Sequence, residues 1–120
     1  MAQSIIGDKS LAFAKRIAKC YRFLKDKKDE TVMSKQLLRC GTSIGANVRE
    51  GQYAQSKKDF ISKMNIALKE AGETDYWLDV IHTAGYFTDD EYASLDADNK
   101  ELLRMLASIV KTSKEKESLG

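Results

Sequence analysis

The chain has 120 residues, 42% hydrophobic and 32% charged, and a net charge of +2. Such a length suits one domain, burying roughly two thirds of the surface its unfolded chain exposes. No apolar run approaches the roughly 18 residues of a membrane span. The start M-A-Q-S-I-I-G-D-K lacks the charged-then-apolar order of a signal peptide. Cys20 and Cys40 lie in helical patterns and form no Cys-x-x-Cys pair, so free thiols and a cytoplasmic location are expected. The charge is spread unevenly: residues 1–63 hold 14 Lys and Arg against 6 Asp and Glu, and residues 64–120 hold 6 against 12. This separation suits an anionic partner at one surface or head-to-tail contact between copies. The plainer reading is solvated helix faces.

A first helix is predicted over about residues 8–25. Leu11, Ala14, Ala18 and Tyr21, with Phe13, Ile17, Cys20 and Leu24, make a broad apolar face at helical spacing. The polar run K-D-K-K-D-E-T at 25–31 reads as a connection. A second helix starts near Thr31 and carries Val32, Leu37, Ile44 and Val48 inward. Ser56, with Asp59 three residues on, is a good N-cap for a third helix. There Phe60, Met64, Ala67, Ala71, Thr74, Leu78 and Ile81 alternate steps of four and three. Gly85 ends it, and T-D-D-E at 88–91 is a capping box opening a fourth helix. Tyr92, Leu95, Asn99, Leu102, Leu106 and Ile109 line its inner face. After Val110 the periodicity is lost, so a bundle domain over 1–112 and a frayed polar tail over 113–120 are expected. Four amphipathic segments with short links, and no strand alternation, predict an all-α, antiparallel up-down-up-down four-helix bundle.

The stretch R-C-G-T-S-I-G-A-N-V-R-E-G at 39–51 holds three glycines. It lacks the lysine and hydroxyl of a Walker loop and the spacing of a dinucleotide loop, and no strand precedes it. As a helix it makes better sense. Gly41 and Gly45, four apart, share a face with Ile44 and Val48, where another helix can approach closely enough to offset the roughly 1 kcal/mol each glycine costs. With helices 2 and 3 antiparallel and linked near 55–57, opposed residue numbers sum to about 112. Ile44 should then face Leu68, Val48 face Met64, Gly45 face Ala67 and Arg39 face Glu73.

The residues Q-L-L-R-C-G-T-S-I-G-A-N-V-R-E-G and S-K-K-D-F-I-S-K-M-N-I-A-L-K-E-A-G-E-T-D-Y-W-L carry a resemblance. The chain resembles the bacterial four-helix-bundle family named for proteins encoded in intervening sequences of 23S ribosomal RNA genes. The likeness spans about residues 8–112 and is most specific over 36–78. It implies an antiparallel bundle and a homopentamer. A related branch, the accessory variability determinant of diversity-generating retroelements, is a pentamer that binds a reverse transcriptase and nucleic acid. A homo-oligomer with RNA or a nucleic-acid-processing protein as partner is therefore implied. Cys40 stands where the family commonly has Ser or Ala.

Phosphate binding calls for Lys and Arg. Lys15, Lys19 and Arg22 form an i, i+4, i+7 stripe on helix 1, and Lys35 and Arg39 are expected beside it on helix 2. Arg49, Lys57, Lys58 and Lys63 form a second group, where the N-terminus of helix 3 adds backbone N–H groups. Charged faces are also usual on bundles, and any binding here should discriminate sequence poorly. Catalysis finds little support. His82 is the only histidine, Asp79 one turn away makes only a pair, and Glu70 and Glu73 lack the histidine of a ferritin-like site. Those glutamates read as salt-bridge partners of Arg39 and of neighbouring chains. Cys40, Thr42 and Ser43 have no base nearby in sequence. No cofactor is expected. Tyr76, Trp77 and Val80, with L-L-R-M-L-A-S-I-V on helix 4, exceed what one core requires and point to subunit contacts, the plainer reading being that Trp77 simply fills the core. A protein-only scaffold is the alternative function.

Overall fold

The computed structural model describes residues 4–119 as four helices: α1 Ile5–Lys28, α2 Val32–Gln52, α3 Lys57–Thr83 and α4 Asp89–Leu119. Links of three to five residues turn each helix back on the last, giving the up-down-up-down bundle, 51 × 23 × 21 Å. Residues 1–3 and 120 of the expected domain and tail lie outside the described residues.

Local chemistry sets each boundary. α1 begins a turn earlier than expected because Ser4 caps it, its Oγ accepting the Gly7 N–H at 3.0 Å. It also runs through Lys25, Lys27 and Lys28, which the polar run had suggested as connection. Lysines in a last turn are favoured by the helix dipole and need no burial. Asp29 stops the helix in the left-handed region, φ 54°. α2 is capped by Glu30 rather than Thr31: the carboxylate accepts the N–H groups of Val32, Met33 and Ser34 at 3.0, 3.1 and 2.8 Å. Burial of Glu30 alone would raise its pKa, but those bonds outweigh it and hold the carboxyl below its ordinary value. The Ser56 cap of α3 and the Thr88–Glu91 capping box of α4 form as predicted. Gly85, at φ 92°, takes the chain out of α3. α4 contradicts the expected frayed tail by continuing to Leu119. Lys, Glu and Ser are adequate helix formers, so a helix already nucleated propagates there without an apolar face.

The core is Phe13, Ile17 and Leu24 of α1; Leu37, Ile44 and Val48 of α2; Met64, Ala67, Ala71, Leu78 and Ile81 of α3; and Leu95, Leu102 and Leu106 of α4. Only one of the two apolar rows of α1 enters it, since Leu11 and Ala18 are exposed. Val32 was expected inside and is 75% exposed. It lies five residues, or about 140° of helix, from Leu37, so both cannot face one core.

The glycines of α2 sit in the helix, but Gly45 does not face Ala67. A β-carbon on Gly45 would stand 3.1 Å from the Ser10 carbonyl oxygen, and one on Gly41 would stand 3.0 Å from Ile17. The close approach is therefore between α1 and α2. Of the expected α2–α3 oppositions, Arg39 pairs with Glu73, and a further pair joins Lys63 to Glu50 at 3.0 Å. The end of Met64 lies against Gly51, and Leu68 is half-buried at the core's edge. α1 and α4 meet more sparsely, bridged by Arg16 to Asp98 and Ser94 at 2.7 Å and by Lys9 to Glu101 at 3.3 Å.

Candidate nucleic-acid interface

Three residues of the α1 stripe stay outside the core because the buried row Phe13–Ile17–Leu24 occupies the opposite side of the helix. Lys15 and Lys19 are exposed and in no ion pair among the described residues. The Arg22 side chain is 85% exposed, and its contact with Asp26, at 3.6 Å across one turn, is a loose one. Because α1 continues to Lys28, Lys25 extends the stripe by one further turn from Arg22. The sequence reading missed it by treating 25–31 as a link, although lysines before a helix end are the usual C-terminal signal.

The α1–α2 register, with Ile17 against Gly41, brings exposed Lys35 level with Arg22 to within about one residue's rise. Arg39 does not join them. It points to α3, where Glu73 and Glu70 hold its guanidinium, the latter at 3.4 Å. The hydrogen bond to Glu73 raises the arginine's pKa, and the same bond keeps the Glu73 carboxyl low. This leaves no net positive charge at that place, so Arg39 belongs to the α2–α3 seam.

The second group divides likewise. Arg49, Lys57 and Lys58 are exposed, whereas Lys63 is bound by Glu50, which raises its pKa. The N-terminus of α3 is already engaged, the Ser56 Oγ accepting the Asp59 N–H at 3.1 Å, with the Asp59 carboxylate in the first turn. That arrangement opposes a phosphate there.

The residues weighed for chemistry are occupied structurally. His82 pairs with Asp89 rather than Asp79, Nε2 to Oδ1 2.8 Å, and its ring stacks on Tyr92. Thr42 and Ser43 donate to the carbonyls of Leu38 and Arg39, both at 2.6 Å. Cys40 is buried, and burial raises its pKa. Burial and then Glu91 push the Cys20 thiol up to about 11, so little thiolate exists at neutral pH. Among the described residues no cluster of three His, Cys, Asp or Glu is placed to hold a metal ion. No described helix is long and apolar enough to cross a membrane. Trp77 is half-buried against the core, edge-on to Tyr76 at 5.0 Å, while Tyr76 itself is 59% exposed.

Fold and surface together define a small all-α bundle with exposed lysines along its α1–α2 hairpin and at the start of α3. More particularly, residues 2–108 match the family described as 23S rRNA-intervening sequence protein, and the chain belongs to it. It is similar to a crystal structure of a protein of unknown function from the S23 ribosomal protein family of Bacteroides thetaiotaomicron VPI-5482. The two are 53% identical over 89% of this chain and 99% of that one, with a TM-score of 0.88. No curated protein matches it.

Proposed function

We propose that this protein is a non-catalytic homo-oligomer, with five copies the preferred number, that acts in the cytoplasm and binds RNA or a nucleoprotein. The contact is made by the basic surface of α1 and α2. The observation that carries the reading is the contrast among the cations. Lys9, Arg16, Arg39, Lys63 and Lys100 are held by carboxylates, while Lys15, Lys19 and Lys35 on the α1–α2 hairpin, like Arg49, Lys57 and Lys58 around the next turn, are exposed with no ion pair among the described residues. Exposed cations of this kind neutralise phosphates and release counterions. A ring repeats the stripe in each subunit, so weak contacts add through multivalency. Family membership supports the oligomer by resemblance.

The test is fluorescence binding of single-stranded and duplex RNA at two salt concentrations. Binding should fall steeply with salt, and changing Lys15, Lys19 and Arg22 together to Glu should abolish it. Changing Lys114 and Lys116 at the end of α4 should matter far less. A wild-type oligomer that fails to bind at low salt supports the second reading, a protein-only scaffold, which the opposed charges of the two halves of the chain favour.

A further inference from the structure

Tyr53 is 82% exposed, the most exposed of the large apolar side chains among the described residues. It directly follows the last residue of α2, and the turn there does not need its ring. Backbone bonds shape that turn, the N–H groups of Tyr53 and Ala54 donating to the carbonyls of Glu50 and Gly51, both at 3.1 Å. Tyr92 stacks on His82 and Tyr76 meets Trp77, but Tyr53 makes no ring contact among the described residues. Around it in the turn stand exposed Gln52, Gln55 and Ser56, then exposed Lys57 and Lys58, neither in an ion pair among the described residues. Lys57 is four residues on from Tyr53, a span of at most about 14 Å. The nearby carboxylates are committed: Glu50 is held by Lys63, and Asp59 lies half-buried in the first turn of α3. Arg49, one turn before Tyr53, lines a groove together with Asp8 and Glu50, so Lys57 and Lys58 are the principal open charge here.

We infer that this turn takes an unpaired base of single-stranded RNA, Tyr53 stacking on the base while Lys57 and Lys58 neutralise the phosphates beside it. Every base has a face on which a ring can stack, and that face is free only where the base is unstacked from a duplex. The surroundings select this occupant over a protein. An aromatic anchor of a protein interface fills a packed, desolvated pocket, whereas Tyr53 stands among glutamines, a serine and lysines. The N-terminus of α3 is already capped, so side chains alone make the phosphate contacts. Gly7 lies level with Gln52, which sets the turn about eight residues, or roughly 12 Å of helix rise, from Lys15. Tyr53 is thus a contact separate from the α1 stripe. It adds what cations alone do not supply, a preference for single strands over duplex. The inference rests on the RNA binding of the proposed function.

Fluorescence anisotropy tests it with three ligands: a single-stranded RNA of about eight nucleotides, the same strand made abasic, and a blunt duplex containing the sequence. The proteins are wild type, Tyr53→Leu, Tyr53→Phe and the double variant Lys57→Ala with Lys58→Ala. Tyr53 is exposed, so the melts of its two variants should match wild type. Tyr53→Leu should weaken binding of the single strand roughly 5- to 150-fold, the loss expected for one base stack. It should leave the abasic strand and the duplex unchanged. Tyr53→Phe keeps the ring and should bind as wild type does. The double lysine variant should weaken the strand with and without its bases and lower the salt dependence. Single-strand binding unchanged in Tyr53→Leu would overturn the stacking and leave RNA binding by the α1 stripe standing. Equal losses on the intact and abasic strands would overturn it as well. A wild type that binds none of the three ligands at low salt would overturn both the inference and the RNA-binding reading.

Discussion

Along α2, helix α1 comes so close that a β-carbon on Gly41 or Gly45 would stand only 3.0 or 3.1 Å from Ile17 or the Ser10 backbone. Along α4 the same helix is bridged by the side chains of Arg16 and Lys9. The first seam is closed by shape. Its neighbours are backbone and a branched side chain, which cannot move aside cheaply, and Glu30 locks its turn. The second seam is closed by long polar side chains that solvent reaches. One helix thus has a rigid side and a compliant side, and the rigid side orients the hairpin that carries the basic stripe.

The largest effect should come from Gly45→Leu. Overpacking costs about 1–3 kcal/mol, and the upper end applies because the obstacle is the Ser10 backbone rather than the tip of a side chain. Urea unfolding measures it, and an unchanged midpoint would mean that the α1–α2 seam is open at Gly45.

A smaller loss, about 1 kcal/mol, is expected for Glu30→Gln, since loss of a helix cap costs roughly that much and an amide is a weaker acceptor than a carboxylate. Its pH dependence sharpens the assignment. The folded-state pKa of Glu30 is depressed, so its stabilisation is fully present above the ordinary value of 4.5 and is lost as pH falls through the folded value. Melting curves of wild type and variant should converge at acid pH. A constant gap would assign the cost to packing instead.

The smallest change should follow Arg16→Met, which removes the links to Asp98 and Ser94. The Arg16 and Asp98 side chains are 39% and 49% exposed, and such pairs contribute about 0–1 kcal/mol. The difference from wild type should shrink further at about 1 M salt, where screening is nearly complete. Gly45→Leu should keep its full cost there. Equal salt sensitivity of the two variants would erase the contrast between the seams.

Much of the fold was legible in the residues. The step pattern of Phe60 to Ile81 places α3, and Ser56 and Thr88 mark the starts of α3 and α4 where the structure has them. The numerical register of α2 against α3 found the Arg39–Glu73 pair. Less was legible of the candidate interface. Arg39 was grouped with the phosphate-binding cations although its pairing with Glu73 was already legible, Lys63 read as a free cation until Glu50 across the seam was in place, and Lys25 read as loop.

Helix periods, caps and the division of charge belong to the sequence itself, because each depends on residues within a turn or two of one another. Which neighbour a helix face meets is not local. Gly45 has the same spacing whether it admits α3 or α1, and only the packing of all four helices assigned it to the Ser10 backbone. Likewise a lysine and its partner carboxylate on another helix are set together by bundle geometry. The tertiary structure therefore decided which positive charges are spent within the chain and which remain on its surface.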